Sequence, residues 1–168
     1  MGEAGTVYFF TGLVGAGKTT IGGLFYRRMK ARKNDILLFD GDQVREIFGR
    51  GGYSTEARKD SARRGFRLYK ILTEQGVDVV CCSLAMYNEI REWNRNNLAN
   101  YREIYIRVPM KILYERDQKG LYSSGAKQMV GIDLPWDEPK APDVVIENDG
   151  SQTPEAIVDR LIKEFGLI

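Results

Sequence analysis

The chain has 168 residues, 43% hydrophobic and 29% charged, a composition that is typical of a globular domain and excludes fibrous and disordered proteins. Its 25 basic and 23 acidic side chains leave a formal net charge of +2, so charge gives no reason to expect nucleic acid or a membrane as a partner. No apolar run approaches the roughly 18 to 20 residues of a membrane span, and the N-terminus does not resemble a signal peptide, so export is not expected.

Short apolar runs alternate with helical patterns along the chain, which predicts an α/β fold with a mostly parallel sheet covered by helices. The predicted strands are Val7–Phe10, Ile36–Phe39, Val77–Cys82, Ile104–Val108 and Val144–Ile146. The predicted helices are residues 18–33, residues 54–75, a third around Ile90, Trp93 and Leu98, and a last one that begins at Thr153–Glu155. No repeat or linker interrupts this order, so we expect one domain over residues 1–168.

The third predicted strand contains the two cysteines of the chain, Cys81 and Cys82. Adjacent Cα atoms lie about 3.8 Å apart, below the usual range for a disulfide, so we expect two buried thiols rather than a bridge. A reducing cytoplasm is therefore the expected location. The chain has no histidine, which argues against a zinc site and a histidine-based catalytic triad.

The stretch from Asp117 to Pro142 differs from the rest of the chain, because it carries three glycines and three prolines and has no helical or strand pattern. Loops of this length in a compact domain are usually functional or disordered. We interpret residues 117–142 as a mobile lid.

The residues Gly12–Thr19 satisfy the phosphate-loop pattern G-x-x-x-x-G-K-[ST], between a predicted strand and a predicted helix. The glycines allow backbone N–H groups to surround phosphate oxygens, and the helix presents its positive N-terminal end. Lys18 is expected to reach the β- and γ-phosphates, and the Thr19 hydroxyl is expected to ligate Mg²⁺. Gly22 and Gly23 follow one turn later, where each weakens the helix by about 1 kcal/mol, and close packing against the sheet would explain both.

Two carboxylates, Asp40 and Asp42, follow the second predicted strand. Ligands of open α/β sheets bind at the carboxyl ends of the strands, so these side chains should face the phosphates. One can hold a water of the Mg²⁺ shell, and the other can accept a hydrogen bond from a substrate hydroxyl and direct it at the γ-phosphate. The alternative is that Asp-Gly-Asp is only a turn and a helix cap.

Other classes of phosphate-loop protein fit less well. A GTPase needs a base-reading Asn-Lys-x-Asp, which is absent, and the D-x-x-G match at Asp117–Gly120 falls in the predicted lid. The third strand ends Cys-Cys-Ser, without the acidic residue that a motor-type ATPase places there. A small-molecule kinase is therefore favoured over a hydrolytic switch.

Taken together, the motifs resemble those of the adenylylsulfate kinase family over nearly the whole chain. The matching segments are Gly12–Thr20, Asp40–Asp42 with Arg45, Gly52–Ser54, Arg58, Arg63–Arg64, Arg116–Tyr122 and Gly131–Pro135. The resemblance implies a three-layer P-loop fold with strand order 2-3-1-4-5, helices on both faces and a lid. It also implies ATP and Mg²⁺ as cofactors, a nucleotide substrate phosphorylated on its ribose 3′-hydroxyl, and a homodimer.

The resemblance assigns roles on the ATP side. Asp42 corresponds to the residue that orients or deprotonates the 3′-hydroxyl, Asp40 to its magnesium-side companion, and Arg116 and Lys119 to groups at the lid base that hold the ATP phosphates. The predicted catalytic residues are Lys18, Asp40, Asp42 and Lys119, and the predicted metal ligands are Thr19 and Asp40. The predicted ATP contacts are Gly12, Gly15, Ala16, Gly17, Lys18, Thr19, Thr20 and Arg116.

On the substrate side, Arg45 and Arg58 correspond to arginines that hold the phosphate end of the substrate, and Tyr53 to an aromatic residue that stacks on its base. For Arg63, Arg64 and Arg67 a role in the cleft and a solvated helix surface remain equally open. The predicted substrate contacts are Asp42, Arg45, Tyr53, Arg58, Ser61, Met86 and Met129.

The chain departs from the family at three substrate-side places. Ser61 replaces a usual Asn, and Met129–Val130 stand where the family has a Phe that closes a sandwich on adenine. The third strand leads into Ser83–Glu89 instead of a Ser-Pro-Tyr-Arg segment, with loss of the Pro and the Arg. The pattern is similar to the branch that phosphorylates cytidine diphosphoramidate in capsule biosynthesis. The alternatives are an adenylyl sulfate kinase of sulfate assimilation and, from a different class, a nucleotide-binding module without turnover.

Overall fold

The computed structural model of the protein describes residues 2–48, 51–117, 120–127 and 129–167. Within these ranges the chain forms five strands and six helices. In chain order they are β1 (Thr6–Thr11), α1 (Lys18–Lys30), β2 (Ile36–Asp40), α2 (Gly41–Ile47), α3 (Thr55–Glu74), β3 (Asp78–Cys82), α4 (Asn88–Asn97), β4 (Asn100–Arg107), α5 (Met110–Arg116), β5 (Val144–Glu147) and α6 (Pro154–Glu164).

The strands form one parallel sheet in the order β2-β3-β1-β4-β5, which confirms the predicted order and fold class. Its register aligns the carboxyl ends of the first three strands, because Cys82 of β3 pairs with Phe10 of β1 and with Asp40 of β2. The loop after β1 and the acidic turn after β2 therefore leave the sheet at the same edge. This alignment brings the two sequence motifs together.

Alternate residues of the buried strands form two separate cores. Tyr8 and Phe10 of β1 pack with α1 and α6 on one face, whereas Val7 and Phe9 pack with α3 and α4 on the other. Near-continuous apolar strands are expected where a parallel sheet is covered on both faces. The adjacent thiols of β3 divide between the two cores, and both are free and buried, as predicted.

The sequence did not predict α2 and α5, two helices of seven residues. Both are too short to show a clear helical period. The start of β4 was also predicted too late, because Glu103 interrupts the apolar pattern. Its buried carboxylate lies 3.4 Å from Arg91 and accepts a hydrogen bond from Tyr101. Burial raises the pKa of Glu103 despite these partners.

The described part of residues 117–142 has no helix and no strand of the main sheet, as expected, although a single bridge joins Val130 and Leu134. The segment packs on the body of the protein. The Tyr122 hydroxyl donates to the Val14 carbonyl at 2.6 Å, and the Asp137 carboxylate accepts from the backbone N–H of Asn88 at 2.8 Å. Movement of this segment as a lid stays a prediction.

Among the helices that the structure describes, none combines the length and the apolar character that crossing a bilayer requires.

The two helical glycines differ in their surroundings. A Cβ atom on Gly22 would lie 2.3 Å from the Cys82 Sγ and 3.3 Å from the Phe10 ring, so close packing against the sheet is confirmed there. A Cβ atom on Gly23 would meet only the Arg27 side chain, at an ordinary 3.7 Å, so the same explanation is wrong for Gly23.

These surroundings predict opposite effects for two matched substitutions. Gly22→Ala should lower the free energy of unfolding by about 1–3 kcal/mol, because the added methyl group overpacks a rigid core. Gly23→Ala should raise it by up to about 1 kcal/mol, because alanine is the better helix former. Urea unfolding followed by circular dichroism measures both. If both variants change the free energy of unfolding in the same direction, the packing described for Gly22 and Gly23 is contradicted.

Candidate active site

The loop Gly12–Thr19 holds a conformation that only glycine adopts easily at two positions. Gly15 and Gly17 have φ angles of 79° and 100°, in the left-handed region. Gly17 also caps α1, and a Cβ there would lie 2.7 Å from the Asn148 side-chain nitrogen. The loop therefore leads directly into the N-terminus of α1, where backbone N–H groups favour anions.

The Lys18 ammonium lies over its own loop. Its Nζ donates to the carbonyl oxygens of Gly12 at 2.9 Å and Leu13 at 2.8 Å. These contacts hold the positive charge at the face of the loop where phosphate oxygens would bind. Contact of Lys18 with the β- and γ-phosphates stays a prediction.

Thr19 and Asp40 are directly joined. The Thr19 hydroxyl donates to the Asp40 Oδ2 at 3.0 Å, and the Asp40 Oδ1 accepts from the backbone N–H of Asp42 at 2.9 Å. Asp40 therefore caps α2 as well, so the alternative interpretation of Asp-Gly-Asp as a helix cap is also correct.

The Thr19–Asp40 pair fits Mg²⁺, which takes oxygen ligands and is usually held by one or two carboxylates together with waters and substrate phosphates. Within the described ranges no group of three or more His, Cys, Asp or Glu side chains could form a complete protein cage for a metal. The Thr19 hydroxyl and the Asp40 carboxylate are the groups that would hold Mg²⁺ here.

A cavity of about 210 Å³ lies between this loop, α2 and α3. The predicted residues that line it are Gly15, Gly17, Lys18, Thr19, Thr20, Asp40, Asp42, Arg45, Arg58 and Ser61. The structure thus brings the phosphate loop, both carboxylates and two arginines to one space.

Three substrate-side residues are joined in a cluster beside the cavity. The Arg45 and Arg58 guanidinium carbons lie 5.0 Å and 5.7 Å from the centre of the Tyr53 ring, and each arginine donates to a backbone carbonyl of residues 52–53. Burial and the neighbouring Arg45 charge lower the pKa of Arg58. Tyr53 is half exposed, which leaves ring surface available for stacking.

Two predicted substrate contacts lie elsewhere. Met86 is fully buried and Met129 is 5% exposed, both in the core on the α1 side of the sheet, and neither lines the cavity. This arrangement does not place either methionine side chain at the cavity, so their contact with a substrate stays a prediction. The Met86 carbonyl accepts a hydrogen bond from the backbone N–H of Asp137, which packs over the end of β3.

Of the remaining predicted residues, some lie at or near the phosphate loop and others on the surface of α3. Thr20 lines the cavity. Arg116 donates to the Asn148 carbonyl at 2.7 Å, beside the phosphate loop, whereas Lys119 lies outside the described residues. Arg63 and Arg64 are ion-paired on the helix surface, with Glu89 and Asp60 respectively, which supports the solvated interpretation for these two.

The family of the chain is shown by its similarity to known proteins. The model of the family described as adenylylsulphate kinase matches residues 4–147. The chain belongs to this family. Members of the adenylylsulphate kinase family transfer a phosphoryl group to a hydroxyl acceptor, and the chain is a P-loop kinase of that class.

Individual relatives of the adenylylsulphate kinase family match over almost their full length. The chain is 39% identical over 165 residues to the cytidine diphosphoramidate kinase of Campylobacter jejuni, with 96% of each chain covered. It is 36% identical over 175 residues to the adenylyl-sulfate kinase of a Picosynechococcus species, with 100% of this chain and 99% of the relative covered. The structure of the Mycobacterium tuberculosis APS kinase in complex with AMPPNP and APS superposes with a TM-score of 0.88 at 25% identity, covering 98% and 99% of the two chains.

Sequence reasoning missed two residues that shape the site of this adenylylsulphate kinase family member. The Asn148 side chain donates to the Ala16 carbonyl at 2.8 Å and so links the end of β5 to the phosphate loop. Tyr87 lines the cavity although it lies 45 positions beyond Asp42 and further from the loop. Asn148 follows a predicted strand at its carboxyl end, and Tyr87 belongs to the segment Ser83–Glu89 that departs from the family, but neither residue was predicted to be a site residue.

Proposed function

We propose that this kinase uses ATP and Mg²⁺ to phosphorylate the ribose 3′-hydroxyl of a 5′-modified nucleotide, and that this nucleotide is cytidine diphosphoramidate. The observation that carries the reaction is the single cavity in which Lys18, Asp42 and Arg58 meet. Phosphoryl transfer depends mainly on positioning and on neutralising charge, and these residues supply both. With this substrate, the kinase would act in capsule biosynthesis. The homodimer and the cytoplasmic location stay predictions.

On the donor side, the Lys18 ammonium and the N-terminus of α1 neutralise the β- and γ-phosphates of ATP. Thr19 and Asp40 would hold Mg²⁺, which would supply positive charge to offset the negative charge that develops on the phosphates during transfer. Asn148 keeps the loop in shape through the Ala16 carbonyl. The donor phosphate is thereby fixed next to α2.

On the acceptor side, Asp42 lies in the first turn of α2, two residues beyond the carboxylate that binds Thr19. From this position its side chain accepts a hydrogen bond from the 3′-hydroxyl and points that oxygen at the γ-phosphate. Removal of the hydroxyl proton by a placed base typically contributes a factor of about 10²–10⁴. Arg45 and Arg58 bind the 5′ end, since guanidinium forks suit phosphate oxygens.

Cytidine diphosphoramidate is favoured over adenylyl sulfate by two observations. The Campylobacter relative that matches at 39% identity carries that name. By resemblance, the position of Met129 is that of a Phe which closes a sandwich on adenine; Met129 supplies no aromatic ring and does not line the cavity. The Picosynechococcus adenylyl-sulfate kinase, at 36% identity, keeps adenylyl sulfate as the second candidate.

Steady-state kinetics with each acceptor at saturating ATP tests this choice. The kcat/KM for cytidine diphosphoramidate should exceed that for adenylyl sulfate by at least about tenfold, the effect of roughly 1.4 kcal/mol of differential binding. Ser61→Asn provides a comparison, since it returns the usual amide to the cavity and should narrow the ratio. A wide margin in favour of adenylyl sulfate would make the cytidine assignment wrong.

A further inference from the structure

One buried polar group on the cavity wall is unused by the reaction described above. Tyr87 is 3% exposed and lines the cavity together with Arg58 and Ser61. Its hydroxyl is buried and makes no hydrogen bond within the part of the chain that the structure describes. Buried hydroxyl groups are normally paired, because leaving one unpaired costs free energy of folding. An unpaired hydroxyl at a ligand cavity indicates a partner supplied by the ligand.

The backbone holds Tyr87 firmly in this position. Tyr87 caps α4, and its carbonyl accepts from the backbone N–H of Ile90 at 3.1 Å. The residues on either side of it both bind Asp137: the Met86 carbonyl accepts from the Asp137 N–H at 2.9 Å, and the Asn88 N–H donates to the Asp137 carboxylate at 2.8 Å. These three hydrogen bonds fix the backbone at Tyr87 and so the direction in which its side chain leaves the chain.

The charges around the Tyr87 hydroxyl are mostly positive. The Lys59 ammonium lies 5.4 Å from the centre of the ring while it pairs with Glu89 at 2.9 Å, and Arg58 lies on the same wall of the cavity. Burial raises the pKa of Tyr87, so the hydroxyl keeps its proton at neutral pH and remains a donor. A protonated donor on a residue with these two cations nearby suits an anionic oxygen.

We infer that the Tyr87 hydroxyl donates a hydrogen bond to an anionic oxygen at the 5′ end of the acceptor nucleotide, next to Arg58. The inference rests on the proposed function, because it takes this cavity to be the acceptor site. The hydroxyl is covered in this structure, so binding requires a flexible neighbour such as the Lys59 side chain to move aside. Tyr87 is then a specificity-determining residue: it favours acceptors whose 5′ group presents an oxygen at that point.

Titration calorimetry with the ATP site filled by AMPPNP tests the inference. Tyr87→Phe should raise the Kd of the acceptor that the wild-type protein binds by about tenfold, as expected for a hydrogen bond to a charged group. The Kd of AMPPNP itself should not change. The probes are cytidine diphosphoramidate and adenylyl sulfate, each titrated separately. An unchanged acceptor Kd in Tyr87→Phe overturns the inference.

Thermal unfolding separates a binding role from a structural one. Tyr87→Phe should melt at the same temperature as the wild-type protein or higher, because it removes a buried hydroxyl without a partner. The matched control is Tyr101→Phe, which should melt lower, since that hydroxyl accepts from Asn94 and donates to Glu103. If Tyr87→Phe is destabilised as much as Tyr101→Phe, the hydroxyl serves the fold and the inference is wrong.

The outcomes also separate this inference from the proposed function. A wild-type protein that binds one of the acceptors but does not phosphorylate it contradicts the proposed function alone, because the acceptor Kd can still be compared between Tyr87→Phe and the wild-type protein. A wild-type protein that binds neither acceptor contradicts both. Phosphorylation of either acceptor together with an unchanged Kd in Tyr87→Phe contradicts only the role of Tyr87.

Discussion

Replacing Asp42 by Asn should lower kcat by a factor on the order of 10² or more while leaving the KM for ATP nearly unchanged. The amide keeps the shape of the side chain at the start of α2 but cannot accept the proton of the 3′-hydroxyl. ATP binding should survive because the phosphate loop, Thr19 and Asp40 are untouched by the change. A coupled assay of ADP release at saturating acceptor measures both constants.

The control for this experiment is Asp60→Asn on α3, where the carboxylate pairs with Arg64 on the helix surface at 2.9 Å. It removes the same charge from the protein and should leave kcat within about twofold, as surface changes usually do. Full turnover in Asp42→Asn would remove this residue from catalysis and leave Asp40 as the remaining carboxylate at the site.

The second large effect is expected at Lys18. Lys18→Met keeps the length of the side chain and removes the ammonium that lies over the Gly12 and Leu13 carbonyls. We expect kcat/KM for ATP to fall by about 10²–10³, the usual cost of losing a placed group that stabilises transition-state charge. Lys30→Met, at the other end of α1, is the matched control and should behave like the wild-type protein.

A binding measurement shows where that loss arises. If Lys18 acts mainly in the transition state, the Kd of AMPPNP should rise less than kcat/KM falls. Equal changes in both would mean that the ammonium binds ATP without favouring transfer. A variant with undiminished kcat/KM would contradict the role of Lys18 at the γ-phosphate.

The donor half of the site was predictable because its groups are close in sequence. Gly12 and Thr19 lie only seven positions apart, and the spacing of the glycines alone predicts the phosphate loop. Asp40 and Asp42 could be placed because they follow a recognisable strand, and parallel strands end at a common edge. The strand order itself came from resemblance to a family rather than from the pattern of apolar residues.

The acceptor half of the site was less predictable, because it depends on contacts between segments that are far apart in the sequence. Resemblance to a family marks Met86 and Met129 as substrate positions, yet both side chains lie in the core on the α1 side of the sheet. The same path fixes Tyr87 against the cavity through Asp137, a contact between residues about 50 positions apart that leaves no local pattern. Side-chain direction in irregular segments follows tertiary packing, which a single sequence does not report.

Asp40 joins the two halves, since one of its oxygens binds the hydroxyl of Thr19 and the other holds the first turn of α2. In the proposed reaction, the spacing between the two reacting molecules would therefore be set by one short side chain and not by the residues that recognise the acceptor. Substitutions on α3 or beside Tyr87 would then exchange one acceptor for another without changing the transfer step. Such a division would let a lineage acquire new substrates while its catalytic power is preserved.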